Sequence, residues 1–223
     1  MKVAVLQFPG TNCEFDAKYA FTKLGCDVEV IWHKESKLPE NTDLVVVPGG
    51  FSYGDYLRSG AIARFANIME EVKKFASNGG KVLGICNGFQ ILLEAGLLPG
   101  AMKRNDTLHF IWKYHHLKVI DNNNEFLRLL NVGDVVNIPV AHHDGNYYID
   151  EAGLKELEAN NQILLKYCTK DGEVTNMNGS VSNIAGICNK ERNVFGLMPH
   201  PERAIEEILG STDGVNMLKG LLK

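Results

Sequence analysis

The sequence predicts an α/β fold with a mostly parallel sheet flanked by helices. Short apolar runs rich in Val and Ile alternate along the chain with segments of helical periodicity, and this alternation is typical of parallel sheets. The chain has 223 residues, which is long enough to bury a full core with helices on both sides of a sheet. No internal repeat, low-complexity tract or linker divides the sequence. We therefore expect one domain over residues 1–223.

The apolar runs predict eight strands, at residues 3–8, 28–32, 44–47, 82–85, 135–141, 163–167, 184–188 and 194–198. A capping-box pattern at 11–14 predicts the start of a first helix, which ends at Gly25. Apolar residues at helical spacing predict a second helix over 62–75, and a third follows the strand 82–85.

Residues 117–148 break this alternation. Asn-rich stretches at 122–124 and 146–147 are typical of turns. We therefore expect a small antiparallel extension of the sheet in this part of the chain.

Composition excludes several classes of protein. The net charge is −4 and no dense Lys/Arg stripe occurs, which argues against a nucleic-acid surface. No apolar run is long enough to span a bilayer, and the first residues read as a strand rather than a secretory signal. The five cysteines are unpaired in spacing and include no CxxC, so we expect no disulfide framework and no metal site. These observations favour a cytoplasmic protein.

The strongest chemical motif is residues 84–90 (GICNGFQ), at the end of a predicted strand. A cysteine between two glycines is the thiol form of the nucleophile elbow, in which a tight strand-to-helix turn exposes the reactive atom. The following helix directs its free N–H groups and positive dipole end at the sulfur, which favours a thiolate. Cys86 is therefore the candidate nucleophile.

A general base for this thiol is expected at residues 198–202 (MPHPE). If the segment is extended, His200 and Glu202 point to the same side, so that Glu202 holds the imidazole while His200 faces the thiol. The flanking prolines restrict the backbone and fix this presentation. Both motifs follow predicted strands, and ligands of parallel sheets bind at the carboxyl ends of the strands.

An oxyanion hole is expected from two backbone N–H groups. Pro48-Gly49-Gly50 follows the strand 44–47, where bare glycine N–H groups can approach a tetrahedral intermediate. Gly50 is the expected first donor. The N–H of Asn87, directly after the nucleophile, is the expected second donor.

Each of these motifs is weak alone, because a lone buried cysteine is usually an inert apolar side chain. Together, the nucleophile, base and oxyanion motifs each follow a predicted strand, and this combination favours a catalytic function. The remaining cysteines are not flanked by glycines on both sides and are interpreted as structural: Cys13, Cys26, Cys168 and Cys188.

Residues 84–92 and 193–204, together with Pro48-Gly49-Gly50, resemble the triad-type (class I) glutamine amidotransferases, which are cysteine glutaminases. Residues 8–14 (FPGTNCE) and 48–61 (PGGFSYGDYLRSGA) are similar to the glutaminase subunits of phosphoribosylformylglycinamidine synthase. The resemblance implies a flavodoxin-like class I glutamine amidotransferase fold. It also implies that glutamine is hydrolysed through a thioester on Cys86, with His200 as base and Glu202 as its partner.

The resemblance further implies residues that contact glutamine, and we assign these to Gln90, Gly49, Phe51, His142 and His143. One segment departs from the family pattern: residues 141–145 read Ala-His-His-Asp-Gly, where the family usually has Ala-His-Gly-Glu-Gly. A histidine at position 143 adds bulk and removes the conformational freedom of glycine.

The partners implied are a large synthetase subunit, which would use the ammonia to convert formylglycinamide ribonucleotide, and a small third subunit. No cofactor is implied for this chain, since ATP and magnesium belong to the synthetase. Two alternatives remain open at this point. One is a stand-alone cysteine hydrolase or γ-glutamyl peptidase of the same fold, and the other is a non-catalytic scaffold.

Overall fold

The computed structural model describes residues 1–222, and its main feature is a nine-stranded sheet with the strand order β2-β1-β3-β4-β11-β10-β9-β6-β7. The strands are β1 Lys2–Gln7, β2 Asp27–Trp32, β3 Leu44–Val47, β4 Lys81–Ile85, β5 Ala101–Lys103, β6 Ile111–Val119, β7 Val135–His142, β8 Asn146–Tyr148, β9 Ile163–Cys168, β10 Ile184–Cys188 and β11 Val194–Leu197. The helices are α1 Glu14–Lys23, α2 Asn67–Ser77, α3 Asn87–Glu94, α4 Glu151–Ala159 and α5 Gly214–Gly220.

The parallel part of the sheet is formed by β2, β1, β3, β4 and β11. Its central strands are buried along their whole length, as expected when both faces of a parallel sheet are covered. All four residues of β3 (LVVV) have no accessible surface. The α/β prediction with its mostly parallel sheet is confirmed, and β4 and β11 are neighbours.

The antiparallel part consists of β10, β9, β6 and β7. It includes the expected extension, but its longest strand, β6, begins at Ile111, ahead of the predicted region. The turn predicted at Asn146 and Tyr147 is wrong. These residues form β8, which pairs with β5 in a separate two-stranded sheet. Tyr147 is fully buried and stacks on Phe89, and this tertiary packing outweighs the local turn preference of Asn146.

Two helix starts differ from the sequence-based expectation. The predicted capping box is absent, because Thr11 Oγ1 accepts the N–H of Phe8 and Glu14 Oε1 accepts the amide of Gln7. Helix α1 therefore begins at Glu14, with Cys13 at its N-cap. Helix α2 begins at Asn67 because Ala66 has an extended backbone (φ −62°, ψ 144°), which separates the helix from a 3₁₀ turn before it.

Within residues 1–222, no helix is both long and apolar enough to cross a membrane.

Candidate active site

Cys86 lies in a strained turn between β4 and α3. Its φ of +51° and ψ of −107° are unfavourable for a residue with a side chain, as expected for a nucleophile elbow. Glycines on both sides make the turn possible. A Cβ on Gly88 would overlap the carbonyl oxygen of Val47, and one on Gly84 would lie 2.9 Å from the carbonyl of Gly88. The sulfur therefore sits at the N terminus of α3, where the helix dipole stabilises negative charge.

His200 and Glu202 form a buried pair. Nδ1 of His200 lies 2.7 Å from Oε1 of Glu202, and each residue is only 2 % exposed. The extended geometry expected from the sequence is wrong here, because residues 201–203 form a 3₁₀ turn with Pro201 at its first position. The turn brings the Glu202 carboxylate against the ring of His200. The backbone N–H of His200 donates to Pro139 O of β7 (2.8 Å). The pairing thus arises from a proline-initiated turn.

The pKa of His200 is raised above its ordinary value. Burial alone lowers it, but the negative charges of Glu202 and Cys86 outweigh burial and favour the imidazolium. Nε2 of His200 has no partner at standard hydrogen-bond distance among residues 1–222, yet Cys86 is near enough for its charge to act on the ring. A proton can therefore be held on His200, between the sulfur and the carboxylate.

Gly49 lies beside the narrow space between the nucleophile and the base. A Cβ at this position would lie 2.8 Å from Cε1 of His200 and 3.4 Å from Cβ of Cys86. The next residue, Gly50, has φ +146°, and a Cβ there would lie 2.8 Å from backbone atoms of Thr11 and Asn12. Residues 10–13 therefore pack directly on this turn, and the N–H of Cys13 donates to Gly49 O (3.3 Å).

Asn87 and Gln90 form a polar network under the nucleophile. The buried Asn87 amide donates to Gln90 Oε1 (2.9 Å) and accepts the N–H of Ser52 (3.0 Å). Gln90 in turn donates to the carbonyl of Asp144 (2.6 Å). As the first residue of α3, Asn87 has a backbone N–H without a partner within the helix. Both side chains fix loops around Cys86.

A cavity of about 330 Å³ opens beside Cys86. Besides Cys86, its lining includes Gly50, which is an expected oxyanion donor. It also includes four of the residues expected to contact glutamine: Phe51, Gln90, His142 and His143. The lining also includes four charged residues that sequence reasoning did not assign to substrate: Asp55, Arg58, Arg104 and Asp144.

The carboxylates of the cavity interact with each other. Burial and the negative charge of Asp144 raise the pKa of Asp55 to about 6. Asp144 accepts a hydrogen bond from Ser59 Oγ (2.9 Å) and shares a 2.9 Å contact with Nδ1 of His143. Position 143, where the family usually has glycine, thus places an imidazole against Asp144. The signal available in the sequence for Asp55 was its place in the family-like stretch 48–61.

His142 is held differently from His143. It is almost fully buried, and its Nδ1 lies 3.1 Å from Oδ1 of Asn105. Burial, together with the charge of His200, lowers the pKa of His142 to about 4, so the ring is neutral at physiological pH. Arg58 is engaged by Glu94 in a bidentate pair, whereas Arg104 is exposed at the cavity.

Comparison with known proteins shows the family of the chain. Residues 1–215 match the model of the CobB/CobQ-like glutamine amidotransferase domain. The chain is 68% identical to the phosphoribosylformylglycinamidine synthase subunit PurQ of Sulfurimonas denitrificans, with 100% of both chains covered. It is 62% identical to PurQ of Wolinella succinogenes, with 99% of each chain covered.

A solved structure is similar over almost the whole chain. The structure of PurLQS from Thermotoga maritima contains a chain that is 40% identical and superposes with a TM-score of 0.89, covering 99% of this chain and 97% of that one. The family model, the relatives and this structure all match the chain over nearly its whole length. The chain belongs to the glutamine amidotransferase family and, within it, to the PurQ subunits of phosphoribosylformylglycinamidine synthase.

Proposed function

We propose that this chain is the glutaminase subunit of phosphoribosylformylglycinamidine synthase, which hydrolyses glutamine and passes the ammonia to a synthetase subunit. The observation that carries the proposal is the position of Cys86 on a strained elbow beside the buried His200–Glu202 pair. The identity of 68% to a PurQ subunit over the full chain supports the same assignment.

The first half-reaction forms a thioester. Sγ of Cys86 attacks the side-chain amide carbon of glutamine while the thiol proton resides on His200. The C–N bond then breaks, His200 gives the proton to the departing nitrogen, and ammonia leaves. Glu202 stabilises the imidazolium and fixes the ring, which the raised pKa of His200 supports.

The second half-reaction is hydrolysis. Water gives a proton to His200 as its oxygen attacks the thioester carbon, and the C–S bond breaks to release glutamate. His200 returns the proton to the sulfur, so Cys86 and the base regain their starting state. The two half-reactions together consume only glutamine and water, and neither step uses a cofactor.

The developing oxyanion would be held by the backbone N–H groups of Asn87 and Gly50. The first belongs to the free N-terminal turn of α3. The second follows Gly49, whose lack of a side chain keeps the space between His200 and Cys86 open. Two such donors typically contribute several kcal/mol to transition-state stabilisation, about 3 kcal/mol each.

The cavity is suited to the amino-acid end of glutamine. The carboxylates of Asp55 and Asp144 would attract the α-ammonium group, and the guanidinium of Arg104 would attract the α-carboxylate. Gln90 would act by holding the Asp144 backbone, through its 2.6 Å bond. The neutral His142 and the half-exposed His143 would form the wall behind the substrate, with Gly49 and Phe51 on the side of the oxyanion donors.

The partner is a synthetase subunit, which would consume ATP with magnesium while using the ammonia. We also propose a small third subunit in the complex and a cytoplasmic location. A stand-alone hydrolase is the less favoured alternative, because the full-length relatives are subunits of a synthase.

The proposal is tested by following glutamate release from glutamine, with and without a synthetase subunit, ATP and formylglycinamide ribonucleotide. We expect slow turnover alone and strong stimulation in the full mixture. Fast turnover that ignores the partner would contradict the proposal and favour the stand-alone hydrolase.

A nucleophile variant completes the test. Cys86→Ser should abolish glutamine-dependent synthesis while the assembled complex still uses added ammonium salts. Cys26→Ser, a half-buried thiol outside the site, should retain both activities. Glutamine-dependent synthesis by Cys86→Ser would show that another residue is the nucleophile.

A further inference from the structure

Cys13 is a second buried thiol next to the proposed catalytic residues. It is 3 % exposed and lies at the N-cap of α1. Its sulfur, a ring nitrogen of His200 and a carboxylate oxygen of Glu202 all lie within 4.8 Å of one another. Within residues 1–222, no other three Cys, His or acidic side chains converge so closely.

This group of three side chains contains a donor atom that no hydrogen bond uses. Oε2 of Glu202 has no hydrogen-bond partner among residues 1–222, although the side chain is almost fully buried. Buried polar atoms without partners are rare in proteins, and an atom of this kind is free to coordinate an ion. The proposed hydrolysis uses His200 and one oxygen of Glu202, but it does not use Cys13.

We propose that Cys13, His200 and Glu202 form an inhibitory site for a divalent transition metal ion, with Zn²⁺ as the preferred occupant. A thiolate, an imidazole and a carboxylate are the three donor types that zinc selects, and three protein ligands leave a fourth position for water. Binding replaces the thiol proton of Cys13, which passes to solvent, and forms an S–Zn bond.

The local charges suit a dication. The Cys13 thiolate and the Glu202 carboxylate together neutralise two positive charges. Arg203 donates to the sulfur of Cys13 (3.1 Å) and is itself paired with Asp16 Oδ2 (2.8 Å), so its positive charge is already balanced. The side chain of Asn12, which accepts from Cys13 (3.1 Å), would lose that hydrogen bond.

The site requires a small movement of side chains. Zinc binds sulfur at about 2.3 Å and nitrogen or oxygen at about 2.0–2.2 Å, so tetrahedral ligand atoms are roughly 3.3–3.7 Å apart. The 2.7 Å distance between Nδ1 of His200 and Oε1 of Glu202 must therefore lengthen, and the sulfur of Cys13 must move closer to both side chains. A coordinated His200 cannot exchange protons, and catalysis stops while Cys86 stays free.

This inference rests on the proposed function only for its inhibitory consequence, and metal binding can be tested without activity. Cys86 beside His200 is the rival metal site, so the experiment separates the two thiols. Co²⁺ is titrated into wild type, Cys13→Ser, Cys86→Ser and Cys26→Ser, and the thiolate-to-cobalt charge-transfer absorption is recorded. Circular dichroism and thermal melting establish that each variant is folded, with Cys13→Ala as a second variant.

We expect one equivalent of Co²⁺ to give the band in wild type, Cys86→Ser and Cys26→Ser, and no band in either Cys13 variant. A band that is lost in Cys86→Ser but kept in Cys13→Ser would overturn the proposal in favour of the nucleophile. Absence of the band in wild type, or its presence in all variants, would overturn it as well.

Inhibition by buffered Zn²⁺ supplies the second readout, with each variant compared with its own zinc-free glutaminase rate. Loss of the thiolate ligand should raise the half-inhibitory free Zn²⁺ concentration at least about tenfold in Cys13→Ser and leave it unchanged in Cys26→Ser. Equal zinc sensitivity of wild type and Cys13→Ser would contradict an inhibitory site at Cys13. If wild type proves inactive toward glutamine, the proposed function fails while the cobalt titration still decides the metal site.

Discussion

Ile85 and Leu197 are paired in register at the carboxyl ends of the parallel strands β4 and β11. The chain turns into the elbow at Cys86 directly after Ile85, and His200 follows Leu197 by three residues. A slip of one residue in this register would move His200 by about 3.3 Å and reverse the faces of the strand. The pairing of β4 with β11 therefore places His200 next to the sulfur of Cys86.

Glu202→Gln should lower kcat for glutamine hydrolysis by roughly 10²–10⁴-fold with a smaller change in KM. The amide cannot stabilise the imidazolium of His200, and Glu202 does not line the cavity. Steady-state glutaminase assays with the synthetase present provide the measurement. The exposed Glu207→Gln serves as the control with wild-type kinetics. A change confined to KM would argue against an orienting function.

Gly49→Ala and Gly88→Ala should differ in what they damage. The new Cβ at position 49 would meet the ring of His200 at 2.8 Å, so we expect kcat to fall by about 10–100-fold with a modest loss in Tm. At position 88 it would meet the backbone of Val47, which cannot move aside, so the larger loss should be in Tm. Kinetics and thermal melts of both variants check this. Equal melting temperatures with equal kcat would contradict it.

The KM for glutamine should rise as the pH falls through about 6. In the free protein the pKa of Asp55 is raised to about 6, by burial and then by Asp144, so its charge is lost below that value. The neutral form attracts the α-ammonium group of glutamine less strongly. In Asp55→Asn this limb of the KM profile should disappear and KM at pH 8 should be raised about tenfold. Asp171→Asn, outside the cavity, should keep the wild-type profile.

Asp55 should also make folding stability depend on pH. Its pKa rises from 3.8 in the unfolded chain to about 6 in the folded one, so the folded state binds the proton more tightly. The associated stability is fully present below pH 3.8 and is lost as the pH rises through 6. The shift corresponds to about 3 kcal/mol, which partial exposure reduces to on the order of 1–2 kcal/mol.

Asp55→Asn should therefore unfold at a higher denaturant concentration than wild type at pH 7, and the difference should vanish near pH 4. Urea unfolding at the two pH values provides the measurement, with Asp171→Asn as the matched control. A variant that is less stable than wild type at pH 7 would show that the Asp55 charge is better solvated than the structure indicates.

Much of this protein could be predicted from short patterns. The bounds of β3 and β10 agree with the apolar runs, because both strands are buried at every residue and contain no polar side chain. The elbow at Cys86 was predicted because the spacing of its glycines reflects a local turn. The residues of the Pro-His-Pro-Glu motif were predicted as well, but from an extended geometry that the structure replaces with a 3₁₀ turn. Their catalytic roles stay predictions until the variants are measured.

The sequence by itself determined the α/β class, the strand that precedes each site motif and the chemical types of the proposed nucleophile, base and oxyanion donors. These depend on local periodicity and on neighbours within a few residues. Only the tertiary structure decided that His200 and Glu202 meet through a 3₁₀ turn, that Asp55 enters the cavity and that Cys13 adjoins the base. The last two contacts join residues far apart in the chain and depend on strand order and register, which no local pattern contains. The His200–Glu202 turn is local, but its conformation is set by the packing of His200 against Pro139 of β7.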